Sequence, residues 1–164
     1  RLQDDQDLLF LFVGGGLGKA EIERYKREHG LSNVRLLPYQ PLERLRYSLS
    51  AADVHLVSMG PEMVGIVHPC KVYGALAVAR PVLLLGPAKS HIGELLGEHG
   101  IGWQVEHGAV DEAERAIREM RAAGADELTR VGERAQALIR TRLSKPELRG
   151  RFADVVEEAL GFRR

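Results

Sequence analysis

The sequence element that most constrains the fold is Leu8-Leu9-Phe10-Leu11-Phe12-Val13, followed at once by Gly14-Gly15-Gly16-Leu17-Gly18. Six consecutive apolar residues make a run of strand length. Such a run, with no polar alternation, suits a parallel strand covered on both faces. The glycines then turn the chain toward a polar helix over residues 19–29, with Gly30 placed to end it. A strand, a tight glycine turn and a helix form the first half of a βα unit.

The same alternation continues. Val34–Leu37 reads as a second strand, and Pro41 as the opening of a helix through Leu42, Leu45 and Leu49. Val54–Ser58 reads as a third strand, followed by a loop over 59–69 and a helix from Cys70 to Val78. Pro81–Leu85 is a fourth strand, Ser90 caps a helix carrying Ile92, Leu95 and Leu96, and Ile101–Val105 is a fifth. Asp111 and Asp126 are read as caps of two further helices, to Ala122 and Arg142. Ser144 with Glu147 forms a capping box before a last helix to Leu160. The expected fold is Rossmann-like α/β/α, with a mainly parallel sheet of about five or six strands, in one domain spanning 1–164. Ligands of such sheets sit at the carboxyl ends of strands. That rule selects residues 14–18, 38–40, 59–69 and 86–90.

Composition excludes several functions. Lys plus Arg and Asp plus Glu are 23 each, so the net charge of zero gives no support for non-specific nucleic-acid binding. The single cysteine, Cys70, cannot form an internal disulfide, and a reducing, cytoplasmic setting is expected. No apolar run reaches membrane-span length. The histidines and the cysteine show no metal-ligand spacing, so no metal site is expected. The first strand begins almost at the first residue, which leads us to expect a longer parent chain.

Gly14, Gly15 and Gly16 have the chemistry of a phosphate cradle, because backbone without Cβ atoms approaches an anion closely. The spacing is neither a Walker A loop nor a dinucleotide fingerprint: Val13 stands five residues before Gly18, and Lys19 stands where a G-x-G-x-x-G would need its last glycine. The loop by itself fits either a cradle or a tight turn without a ligand. The denser signal is Pro61-Glu62-Met63-Val64-Gly65-Ile66-Val67-His68-Pro69-Cys70-Lys71-Val72-Tyr73-Gly74, running on to Arg80-Pro81-Val82. It follows the third strand, at the ligand edge. Lys71 falls in the first helical turn, where the helix dipole disfavours a cation, and a broken local rule beside an anion site points to function. Solvent contact is the plain alternative for Lys71. Tyr73, Leu76 and Ala77 are expected in the core, as is His55. His68 is read either as a ligand to phosphate or sugar or as a solvated loop residue.

Phe12-Val13-Gly14-Gly15-Gly16, Asn33–Pro38, Leu49–Ser58 and above all Glu62–Val82 together resemble the C-terminal domain of group-one (family four) GT-B glycosyltransferases. The bacterial subgroup that transfers amino sugars in O-antigen and capsule assembly is the most similar. The resemblance covers residues 8–160. It implies the donor-binding domain of a retaining, metal-independent enzyme that needs no cofactor and uses a UDP-sugar or GDP-sugar. Gly14, Gly15 and Gly16 would lie near the donor phosphates, and Leu37, Pro38 and Tyr39 near the base. Glu62 would be the catalytic-site carboxylate on the donor sugar. Gly65, Ile66 and Val67 would cradle sugar and diphosphate, with His68 and Lys71 beside them. The family's ribose-binding carboxylate falls on Gly74, so Lys71 would take part of that load. Cys70 stands where the family has serine, which makes it a capping residue rather than a nucleophile. Ser90 would cap a helix or touch the donor, and Glu94 would face solvent.

The resemblance further implies partners: an N-terminal acceptor domain carrying an Arg and a Lys that neutralise the leaving diphosphate, and lipid-linked acceptors at the inner face of the plasma membrane. Without that domain the chain is expected to be inactive. The arginine-rich segments 115–121 and 149–164 are read as solvated faces, or as surfaces toward the acceptor domain or the membrane. Two other readings remain: half of a UDP-sugar 2-epimerase, and a non-catalytic Rossmann-like interaction domain.

Overall fold

The computed structural model describes residues 1–161. They form two compact units, residues 1–52 and the chain from Asp53 onward. The architecture is the expected Rossmann-like α/β class. Among the described residues five strands all pair in parallel, as a two-stranded and a three-stranded hydrogen-bonded set.

In the first unit, β1 (Phe10–Val13) pairs with β2 (Val34–Leu37), Phe10 opposite Val34 and Val13 opposite Leu37. Between them runs α1 (Lys19–Glu28), which ends at His29 and a left-handed Gly30. Asn33, buried at the start of β2, donates from Nδ2 to the Leu2 carbonyl at 2.7 Å and so ties down the chain start. Burial on both faces of β1 is not what the structure shows. Phe10 and Leu11 are half-buried, while Phe12 and Val13 are exposed. A parallel pair buries apolar side chains only where helices cover it, and no residue of α1 is buried. Pro41 precedes a short 3-10 helix, Leu42–Arg44, that leads into α2 (Leu45–Ser50).

In the second unit the strand order is β3 (His55–Ser58), β4 (Val82–Leu85), β5 (Gly102–Val105). Successive side chains of a strand point to opposite faces, and β4 divides its residues accordingly. Val82 and Leu84 join one core with Val72, Ala75 and Leu76 of α3 (Lys71–Ala77), Ile92, Leu95 and Leu96 of α4 (His91–His99), and Ala135 and Leu138 of α5 (Val110–Arg140). Leu83 joins a second core with Val105, Ala116 and Met120. Helices therefore cover both faces of this sheet, giving three layers.

The long α5 serves both faces because it is broken. Gly124, at φ 78° and ψ 173°, is not helical. Ala116 and Met120 before it pack on the Leu83 face, and Ala135 and Leu138 after it on the Val82 face. The two helices expected from sequence are thus two segments across one kink. Neither Asp111 nor Asp126 caps them: helix begins at Val110, and both aspartates lie within helical segments. The last helix, α6 (Lys145–Ala159), has the expected cap, Ser144 Oγ accepting from Glu147 N–H at 3.4 Å. No residue of α6 is buried, and its Leu148, Phe152 and Val155 are exposed. Arg149 and Arg151 lie exposed on this helix. The final arginines of the tail, Arg163 and Arg164, lie outside the described residues. Among the described residues no helix is long and apolar enough to cross a membrane.

Candidate functional site

Because the strands are parallel, the segments that follow them emerge at the carboxyl ends, where ligands of α/β sheets bind. Each unit brings two of these segments together. In the first unit they are the glycine loop and the residues after β2. Gly14 N–H continues the ladder by donating to Leu37 O at 3.1 Å. Gly14 and Gly16 then adopt φ of 119° and 131°, values that L-residues rarely reach. The ring of Tyr39 lies across the loop: a Cβ at Gly14 would stand 3.2 Å from Tyr39 Cε1, and one at Gly15 2.9 Å from Cε2. Gly16 and Gly18 face open space. Gly14–Gly16 and Leu37–Tyr39, which the resemblance implicates separately, thus form one surface, with Tyr39 exposed on it.

In the second unit the segments after β3 and β4 enclose a cavity of about 170 Å³. One wall is Val64, Gly65, Ile66, Val67, His68 and Pro69; the other is Ser90, His91 and Ile92, with Met59 at the base. The walls are held in place by ties among the strand ends. Met59 N–H donates to Leu85 O at 3.0 Å and Gly86 N–H to Val105 O at 2.9 Å. Gln104 Nε2 donates to Gly86 O at 2.7 Å, and Glu106 Oε1 accepts from Ala88 N–H at 2.9 Å. His107 Nε2 meets Met59 O at 2.8 Å. Gly86 is needed here, because a Cβ would stand 2.6 Å from Met59 O. Ser90 does the capping expected of it: it is buried, its Oγ accepts from Gly93 N–H at 3.1 Å, and it donates to Pro87 O at 2.7 Å.

Of the residues singled out from sequence, Gly65, Ile66, Val67 and His68 all line this cavity. Glu62 and Lys71 flank it without lining it. Glu62 sits on a short 3-10 helix, Pro61–Met63, with its carboxylate folded against Gly60. Lys71 is exposed at the start of α3, one turn before the half-buried Gly74. Cys70 precedes α3 but makes no capping hydrogen bond; its thiol donates to His68 O at 3.5 Å. Glu94 is exposed, as expected.

Two side chains beside this cavity escaped the sequence reading. Tyr73 is not core: the buried stripe of α3 is Val72, Ala75 and Leu76, whereas Tyr73 is half-buried and its hydroxyl hydrogen-bonds His68 Nε2. Ala77, also expected in the core, is exposed because it lies off that stripe. His55, also expected in the core, is half-buried on β3, at one end of the three-strand order. The second escape is His91, whose ring stands 4.8 Å from that of His68, tilted by 45°. His91 lies one residue beyond the 86–90 segment selected by the strand-end rule. Burial, and then the neighbouring His91, hold the His68 imidazole below its ordinary pKa. Burial, then Cys70, push the Tyr73 phenol up, so its proton stays on. Among the described residues no group of three or more His, Cys, Asp or Glu side chains is placed to hold a metal.

The chain is similar to two curated glycosyltransferases. The probable glycosyltransferase WbjE of Pseudomonas aeruginosa is 28% identical over 103 residues, 63% of this chain and 26% of that protein. The putative colanic acid biosynthesis glycosyl transferase WcaI of Escherichia coli K12 is 32% identical over 116 residues, 70% of this chain and 28% of that protein. The chain therefore spans about a quarter of the length of these relatives. No protein-family model matches it.

Proposed function

We propose that this chain is the donor-binding part of a glycosyltransferase of the GT-B, group-one type, acting on a nucleotide-sugar. The observation that carries the reading is a coincidence of two kinds of information. The chain is similar to two glycosyltransferases over most of its length, and its segment 64–69 lines a small cavity at the strand ends, the place where ligands bind in α/β folds.

In this reading the residues of each unit have their own part. The surface of Gly14, Gly15, Gly16, Leu37, Pro38 and Tyr39 takes the nucleotide, the glycines admitting phosphate close to backbone N–H groups. Gly65, Ile66 and Val67 present backbone to the sugar and diphosphate, His68 supplies a hydrogen-bond donor, and Lys71 supplies a mobile positive charge beside the cavity. Glu62 turns from Gly60 to bond the sugar and steer its anomeric carbon. The donor is a UDP-sugar or, as a second choice, a GDP-sugar, used without a metal and with retention of configuration. The acceptor is a glycan or lipid-linked sugar held by an acceptor domain outside this chain. Transfer requires the charge that develops on the departing diphosphate to be stabilised, and His68 and Lys71 are this chain's contributions to that task.

Calorimetry with UDP, GDP and NAD tests the reading. Binding of UDP or GDP, weakened by Glu62→Gln only when a sugar is attached, is expected. Absence of any nucleotide binding at millimolar levels would overturn it in favour of an interaction domain. A donor whose C2 epimer accumulates would place the chain among the epimerases.

A further inference from the structure

The cavity between Gly65–Pro69 and Ser90–Ile92 contains no carboxylate in its lining. Its ionisable groups are two histidines on different walls, His68 from the loop and His91 from the first residue of α4, with ring centroids 4.8 Å apart. Tyr73 of α3 stacks on His68 at a 5.2 Å centroid separation and bonds its Nε2. Two imidazoles this close oppose one another's protonation unless an anion lies between or beside them. No acidic side chain of the lining supplies that anion, so the pair is free to respond to an anionic ligand.

The surroundings do not change this balance. On the neighbouring elements the charged or titratable groups are few. Glu62 lies against Gly60, and Cys70 has its thiol on the His68 carbonyl. Lys71 and Tyr73 belong to α3, Lys89 precedes α4, and Glu94 sits exposed in the first turn of α4. His107 beyond β5 is engaged with Met59 O. The nearby carboxylates are Glu62, turned to Gly60, Glu106, which accepts from Ala88 N–H and Gln104 Nε2, and Glu94; none of the three lines the cavity.

We propose that His68 and His91 form a proton-coupled clamp for a phosphate-bearing anion: the anion enters the cavity between the loop and α4, and the pair takes up a proton from solvent as it binds. Resting on the nucleotide-sugar reading, this assigns to His91 a direct part in holding the donor's diphosphate. Tyr73 makes the uptake possible at His68. Its hydroxyl, kept protonated, donates to a neutral Nε2. When the imidazole gains a proton the same oxygen accepts from Nε2–H. The other ring nitrogen, Nδ1, is then a charged donor to the anion.

Inorganic pyrophosphate is the probe. The His68 and His91 ring signals, assigned with His68→Asn and His91→Asn, are followed by NMR as a function of pH with and without saturating pyrophosphate. Both titrations are expected to move upward by about one unit, tenfold in proton affinity. His91→Asn is expected to weaken pyrophosphate about tenfold near pH 6 and hardly at all near pH 8.5, where histidines are neutral. His91→Lys, which keeps a charge at that position at both pH values, is expected to lose less affinity between pH 6 and pH 8.5 than the unaltered protein, the remaining loss being that of His68. His91→Gln replaces the asparagine variant if that one disturbs the start of α4.

Ring titrations unmoved by pyrophosphate, or an equal loss in His91→Asn at both pH values, would overturn the clamp. UDP separates this outcome from failure of the nucleotide reading. UDP binding without a histidine response sinks the clamp alone. Pyrophosphate binding with the histidine response, but no gain from uridine, supports the clamp and sinks the nucleotide reading. Binding of neither sinks both.

Discussion

The ring of Tyr39 lies across Gly15, so closely that a Cβ at residue 15 would stand 2.9 Å from Tyr39 Cε2. The glycine here is therefore a matter of space for an aromatic ring as well as of backbone approach to a phosphate. Tyr39 is exposed, so little folding energy rests on its position. Gly15→Ala is expected to push the ring aside and to weaken UDP binding about tenfold, ~1.4 kcal/mol. Thermal stability should be nearly unchanged. Calorimetry and a melting curve on the same sample check both halves.

His68 gives the folded protein a pH signature. Burial, assisted by His91, holds its imidazole below the ordinary value of about 6.5. Between the folded and the ordinary value the unfolded chain binds more protons. Stability is therefore whole above the ordinary value and is lost as pH falls through the lowered folded one. In His91→Asn the like-charged neighbour is gone, so the His68 titration should move up, yet stay below the ordinary value because burial is the larger cause. Imidazole NMR of the free variant decides this. A titration that moves down would contradict the assignment of the neighbour's role.

Ala79 is a non-glycine residue in the left-handed region, at φ 56°. It closes α3 in a Schellman-like turn, in which Arg80 N–H donates to Ala75 O at 3.0 Å, a position that favours glycine. A left-handed alanine costs about 1–2 kcal/mol, and glycine returns roughly 0.5–1 kcal/mol of that as chain entropy. Ala79→Gly should stabilise by about 0.5–1 kcal/mol, roughly 2 °C in Tm. An unchanged or lower Tm would show that the turn is not strained.

Most of the fold was legible because its signals are local. The strand runs fix the alternation, and parallel pairing fixes which loops carry ligands, so residues 14–18 with 38–40 and 59–69 with 86–90 emerge as neighbours. The cap at Ser90 was legible for the same reason. Tyr73 was not. Helical spacing groups it with Leu76 and Ala77, but a stripe shifted by one residue, Val72 with Ala75 and Leu76, is equally apolar, and only packing against β4 selects it. His91 was hidden because its partner His68 is 23 residues away on another loop, a separation that no periodicity marks. Asp111 and Asp126 misled as caps because the chain is stopped by Gly124 and started at Val110 by backbone geometry, not by side-chain oxygens.

Gly132 stands in the second segment of α5, facing the turn that ends α3. A Cβ there would run into the carbonyl oxygen and carbon of Ala79, and would reach 3.4 Å from Arg80 N. Backbone cannot yield as the end of a flexible side chain does, so the helix itself must move. Val131 and Ala135 beside it are buried, and Ala135 belongs to the core with Leu76 and Val82. Helix propensity alone favours alanine over glycine by about 1 kcal/mol, whereas overpacking costs about 1–3 kcal/mol, and the contact with fixed backbone puts this site at the upper end. Gly132→Ala is therefore expected to destabilise by roughly 1–2 kcal/mol, read as a lowered urea midpoint with an unchanged slope. Since α3 also carries Tyr73 and begins beside His68, the shift should loosen the cavity wall and weaken pyrophosphate binding with it. A stabilised Gly132→Ala would mean that propensity wins, and that α5 does not press on the α3 turn.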